Sequence, residues 1–82
     1  MVVKIEDIEI RGYEVKLSKK DNKEYMLVRF EDSTGKSYEI VDRDMENKAY
    51  YKRGIVGDIY ANLEINRTFT RFDVSRFVIN ND

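Results

Sequence analysis

Between Arg67 and Arg71 the chain sets arginine, aromatic and arginine at every second position, in the run Arg67-Thr68-Phe69-Thr70-Arg71. Guanidinium groups neutralise phosphates and an exposed ring stacks on a base, so this alternation suits a surface that holds a single nucleic-acid strand. A connection ordinarily carries small polar residues, which makes Phe69 the most informative single residue. A second basic group, Lys19, Lys20 and Lys23, lies in the polar stretch Ser18–Lys23. Two pairs of carboxylates, Asp7/Glu9 and Asp42/Asp44, have spacings that place each pair on one strand face. Nothing apolar beside them would raise a pKa, so solvated or capping roles are expected. The chain has no histidine and no cysteine. Imidazole and thiol catalysis are therefore excluded, as is a zinc site of the usual kind. With no glycine-rich phosphate loop or nucleophile motif either, the expectation is a binding protein, not an enzyme, with no metal and no cofactor.

The 82 residues carry a formal net charge of −1, which argues against a dedicated duplex-coating protein, since these are strongly basic. Charge is uneven, however. Lysines 16, 19, 20 and 23 and Arg29 cluster early and three arginines lie between Arg67 and Arg76, whereas acids gather at Glu6–Glu9, Glu31–Asp32 and Asp42–Glu46. The first residues meet charge too soon for a secretory signal, and no apolar run approaches the ~20 residues of a membrane span. A single soluble cytoplasmic domain is expected.

Strand signals position these residues. A long first strand, about Val2 to Leu17, changes its apolar phase between Ile5 and Ile8 and again across Gly12, as a bulged or bent strand does. Ser18–Lys23 reads as a hairpin loop. The second strand, Glu24 to Phe30, puts Met26, Val28 and Phe30 on one side and Tyr25, Leu27 and Arg29 on the other. After a turn at Glu31–Lys36 comes a short strand, Ser37 to Val41. Asp42 to Arg53 is expected to be helical, capped by Asp42 or Asp44, stopped by Gly54, and facing Ala49 and Tyr50 inward. Two strands follow, Gly57 to Asn66 and Thr70 to Ile79, with Ile59, Ala61, Leu63 and Ile65 on one side. Asn80-Asn81-Asp82 is a polar tail. Tyr50, Tyr51, Phe72 and Phe77 are read as core or barrel-end plugs, and Arg29 as either a phosphate ligand or a cross-strand partner of Glu39. Three strands, a short helix and two strands predict a mainly β, five-stranded OB-fold barrel, with an SH3-like barrel as the competitor.

Several short stretches are similar to the small single-stranded DNA-binding proteins of phages and mobile elements, of the filamentous-phage gene V type. They are Asn22-Lys23-Glu24-Tyr25-Met26-Leu27, Thr34-Gly35-Lys36-Ser37-Tyr38, Ala49-Tyr50-Tyr51-Lys52-Arg53-Gly54 and Ser75-Arg76-Phe77-Val78-Ile79. The resemblance implies an OB fold, a DNA face carrying Tyr25, Leu27 and Tyr38, and a loop phenylalanine, Phe69, that reaches the DNA of a neighbouring subunit. It also implies basic contacts from Lys19, Lys20, Lys23 and Arg76, to which the linker adds Arg67 and Arg71. The family's loop aromatic between the second and third strands has no counterpart; Glu31 and Asp32 stand there. The functional expectation is a non-sequence-specific protein that coats single-stranded DNA, with RNA as an alternative ligand and a homodimer or higher self-association. A protein-binding barrel, such as a phage-encoded inhibitor, is the rival expectation.

Overall fold

The computed structural model describes residues 1–80; the last two residues of the expected polar tail lie outside them. Five strands, β1 (Val2–Leu17), β2 (Glu24–Glu31), β3 (Ser37–Asp42), β4 (Val56–Ile65) and β5 (Thr70–Ile79), close a barrel in the order β1-β2-β3-β5-β4. Every pairing is antiparallel except the closing one, β3 with β5, where Val41 lies beside Asp73. With a short helical turn between β3 and β4, this is an OB-type barrel.

β1 pairs with β4 along its first half and with β2 along its second, slipping register at both of the places where its apolar phase changes. Its first half pairs with β4, and the slip falls between Ile5 and Ile8. Asp7 takes a positive φ of 55° there, and its amide donates to Asp58 Oδ1 at 3.0 Å. Its second half pairs with β2, and the slip falls between Ile10 and Gly12, where Gly12 has a φ of 149°. A side chain rarely accepts that backbone geometry, so glycine is the residue that permits the bend. A third slip, between Tyr60 and Ala61, lies in the β4–β5 ladder and leaves Ser75 unpaired. In β5 it coincides with a change of apolar parity, from Phe72 and Val74 to Phe77 and Ile79.

The core is Ile8, Ile10, Met26, Val28, Phe30, Ile40, Tyr51, Ile59 and Ala61, one set of inward residues from β1 to β4 plus one tyrosine. Phe72 and Phe77 pack half-buried against it, as expected. Ile65, expected on the inner side, is 67% exposed because β4 runs on past Asn62, the last residue that β1 covers.

The helical segment departs most from expectation. Only Met45–Tyr50 is helical, as a 3₁₀ turn, and Asp44 caps it by accepting the Glu46 amide at 3.0 Å. Asp42 belongs to β3. Ala49 and Tyr50 are exposed, not inward. The inward anchors are Met45 and Tyr51, because a tight turn of three residues rotates side chains differently from an α-helix. Tyr51 is the plug, its ring 5.8 Å from that of Phe77.

Candidate nucleic-acid interface

The outward side of β2 is the surface to build from. Residues opposite each other in a ladder share a face, so register fixes its membership. Lys16 of β1 lies opposite Tyr25 and Glu14 opposite Leu27. On the other side Leu27 meets Val41 and Arg29 meets Glu39 of β3. Tyr25, Leu27 and Val41 are half-buried, forming an apolar strip rimmed by charges. The next residue of that parity after Val41 is Arg43, whose guanidinium lies 6.0 Å from the centre of the Tyr25 ring.

Beyond Arg43 the surface deepens into a groove of about 530 Å³ between two loops, lined by Ser18, Lys20, Asp21, Arg43, Phe69, Thr70 and Arg71. The β1–β2 loop forms one wall. It is closed by backbone bonds from the Ser18 amide to Lys23 and from the Asn22 amide to Ser18, and Asp21 caps it by accepting the Lys23 amide at 3.1 Å. Asn22 supplies the left-handed backbone with a φ of 57°, a conformation asparagine tolerates. The β4–β5 connection forms the other wall, closed by the Asn66 amide bonding Phe69 at 2.8 Å. Its short closure leaves the Phe69 ring 52% exposed on the groove. Arg71 is held by Asp73 at 2.7 Å. An exposed ring, three cations and an apolar strip are therefore continuous.

Comparison with family models, with characterised proteins and with solved structures finds no match. The residues themselves carry the reading.

The structure gathers some of the expected residues and separates others. Tyr25, Leu27 and Arg29 share the outer face; Lys20, Phe69 and Arg71 line the groove. Lys19, Lys23 and Arg67 are exposed in the two loops but do not line it. Tyr38 is not on the Tyr25 face. It lies opposite Phe30 in the ladder, on the inner side, stacked on that ring at 5.2 Å. The tyrosine hydroxyl donates to Asp32 Oδ2 at 3.0 Å, which pushes the phenol pKa up. Arg76 is also elsewhere. It lies opposite Tyr60 on β4, which lies opposite Lys4 on β1, and both cations flank the Tyr60 ring at 4.4 and 5.5 Å. Hydrogen bonding to Glu6, then to Tyr60, raises the Lys4 pKa.

Arg29 makes the cross-strand pair considered for it, with Glu39 at 3.3 Å, and a second with Glu14 at 3.3 Å. Two carboxylates thus neutralise it. The two acids after β2 have structural work. Glu31 pairs with Arg11 at 2.7 Å and raises the arginine's pKa. Asp32 organises the β2–β3 turn by accepting the Thr34 hydroxyl at 2.6 Å and the amides of Thr34 and Lys36. These bonds, that of the Thr34 hydroxyl foremost, hold its carboxyl at a pKa of about 2.

Arg43 is the residue that reasoning from sequence misses, because the helical reading of Asp42 to Arg53 absorbs it. Continuing the outward parity of Glu39 and Val41 by two residues finds it.

Proposed function

We propose that this barrel binds single-stranded nucleic acid, DNA in the first instance, without reading its sequence. The observation that carries the reading is the groove between the two hairpin loops, in which Phe69 stands among Lys20, Arg43 and Arg71 and opens onto Tyr25 and Leu27. OB folds take oligonucleotides at this position, over strands 2 and 3 and between the first and last hairpin loops; that support is by analogy of fold. The chemistry supports it independently. Cations spaced along a groove follow a phosphate backbone, and rings beside them accept any base, each stack contributing about 1–3 kcal/mol. Binding is stoichiometric coating, with Phe69 and Tyr25 as stacking platforms and Arg29 released from its carboxylates only where phosphate competes.

Fluorescence-anisotropy titration of a labelled oligo(dT), with oligo(rU) and duplex controls at two salt concentrations, tests this. The expected result is binding to the single strand, weak or absent binding to the duplex, and a slope of log K against log salt of about −1.4, for Lys20 and Arg43 at about 0.7 each, steepening toward about −2 where phosphate displaces Asp73 from Arg71. No binding at low salt would remove the proposal.

A second reading is favoured by one observation, the double neutralisation of Arg29 by Glu14 and Glu39 on a chain of net charge −1. Under it, Tyr25, Leu27, Val41 and Phe69 dock a protein partner, and affinity depends little on salt.

A further inference from the structure

β1 has strand partners on both sides only at Glu9. β4 pairs with it from Val2 to Glu9 and β2 from Glu9 to Leu17. At Ile10 the side away from β2 is still occupied, because the Ile10 amide donates to Ile55 O and the Gly54 amide to Ile10 O, both at 2.8 Å. From Arg11 to Leu17 no strand or loop of the described residues hydrogen-bonds that edge. Natural edges of this length are usually blunted by proline, by inward charges or by a covering loop. This one presents Tyr13, Val15 and Leu17, exposed by 39, 44 and 58%, on the side it shares with Val28 and Met26.

The edge is also complementary to itself. A second copy laid antiparallel beside it, faces matched, has a small choice of two-fold registers. Centring on Glu14 or on Lys16 sets like charges directly opposite, which is destabilising. Centring on Tyr13 sets Val15 against Arg11, and centring on Leu17 sets Val15 against Lys19. Centring on Val15 sets Val15 against itself, Tyr13 against Leu17, and Glu14 against Lys16, twice by symmetry. From Tyr13 to Leu17, apolar residues then meet apolar ones on one face, and opposite charges meet on the other. Arg11 and Lys19, which this register sets opposite each other, lie outside the span, Arg11 beyond the slip at Gly12 and Lys19 past the end of β1, and Arg11 keeps its own carboxylate, Glu31, at 2.7 Å. Glu14 Oε2 already bonds Arg29 at 3.3 Å; its other oxygen is available to Lys16 of the second copy.

We propose that Tyr13–Leu17 is a homodimer interface, in which two β1 edges pair antiparallel about a two-fold axis at Val15. Closed two-fold pairing of identical strands ends the edge instead of propagating it. It also joins the outer faces of two barrels into one sheet, running β3-β2-β1 and then β1-β2-β3 of the second copy. The Tyr25–Leu27 strips of both copies lie on that one surface. The interface rests on the edge alone and does not depend on any ligand.

Sedimentation equilibrium of the full chain without nucleic acid tests it. The wild type is expected at twice the chain mass. Lys16→Glu, which sets two carboxylates opposite each other across the axis and leaves the Glu14–Arg29 pair intact, is expected at the chain mass with an unchanged circular-dichroism spectrum. Glu14→Lys alone should behave likewise, and the exchange Glu14→Lys/Lys16→Glu should restore the dimer. A wild type that stays monomeric across the dilution series overturns the proposal. So does a folded Lys16→Glu protein that remains dimeric, or a folded exchange variant that remains monomeric. If either single variant fails to fold, amide hydrogen exchange on the wild type decides. Amides of Tyr13–Leu17 pointing away from β2 should be protected in a concentration-dependent way, and their exchange at the unprotected rate overturns the interface.

Discussion

The Tyr51 hydroxyl donates to Asp42 Oδ2 at 2.5 Å, and this bond joins the end of β3 to the segment that follows the 3₁₀ turn. Both residues are buried, and Asp42 also accepts from the Asn47 side chain at 3.0 Å and the Asp44 amide at 2.9 Å. A carboxylate taken from water needs such partners. The bond therefore anchors the 3₁₀ turn on the barrel, and it places Arg43 between a fixed Asp42 and a fixed Asp44.

Removing that hydroxyl with Tyr51→Phe should lower stability by about 1.5–3 kcal/mol, the usual cost of losing a hydrogen bond to a charged group. Urea unfolding at neutral pH measures it. The substitution should also change the alkaline limb. Burial first, and Asp42 second, push the Tyr51 phenol above its ordinary range in the folded protein. Its contribution is whole below the unfolded value of about 10 and is lost as pH rises beyond it. Tyr51→Phe should lack that part of the alkaline decline.

Asp32 gives the acid limb its expected shape. Its folded pKa of about 2 lies below the unfolded value, so its contribution is present above about pH 4 and disappears as pH falls toward 2. Urea midpoints measured through this window should fall less steeply for Asp32→Asn than for the wild type. Parallel curves would mean that the turn persists in the unfolded chain.

Tyr25 and Tyr38 separate binding from folding. Tyr25→Ala should weaken oligo(dT) binding by about 1–3 kcal/mol with little change in Tm. Tyr38→Ala should do the opposite, lowering Tm through loss of its stack on Phe30 while sparing affinity. Arg43→Ala should reduce the salt slope by about 0.7. A Tyr38 effect on affinity at full stability would relocate the interface.

Gly57 lies where β1 and β5 both approach β4, opposite Ile8 and Ile79. A Cβ there would run into the Val78 carbonyl and stand 2.8 Å from Phe77 Cε1. Gly57→Ala should therefore destabilise by about 1–3 kcal/mol, the range for overpacking, seen as a lower urea midpoint.

Strand periodicity is a local property, and it is readable as such. The phase changes at Ile5/Ile8 and at Gly12 announce both bends of β1, and the parity of β2 separates Tyr25, Leu27 and Arg29 from the core set. Three strands, a short helical link and two strands then leave few ways to close a barrel. The helix is the element least readable from sequence, because its apolar spacing is weak. Asp42, which looks like a cap from sequence, is claimed by a tyrosine nine residues away.

What sequence alone determined was which residues alternate, where the chain turns and which chemistries the composition forbids, because each depends on neighbours within a few positions. Which of the aromatic and basic residues meet was decided only by the tertiary structure. Tyr38 is as suitable a stacking residue as Tyr25, and Arg76 as suitable a phosphate ligand as Arg43. Ladder register turned Tyr38 inward onto Phe30, carried Arg76 around the barrel to Tyr60 and set Arg43 beside Tyr25, while barrel closure brought Arg43 to Phe69. Register and closure are set by pairings between residues far apart in the chain, and no local pattern contains them.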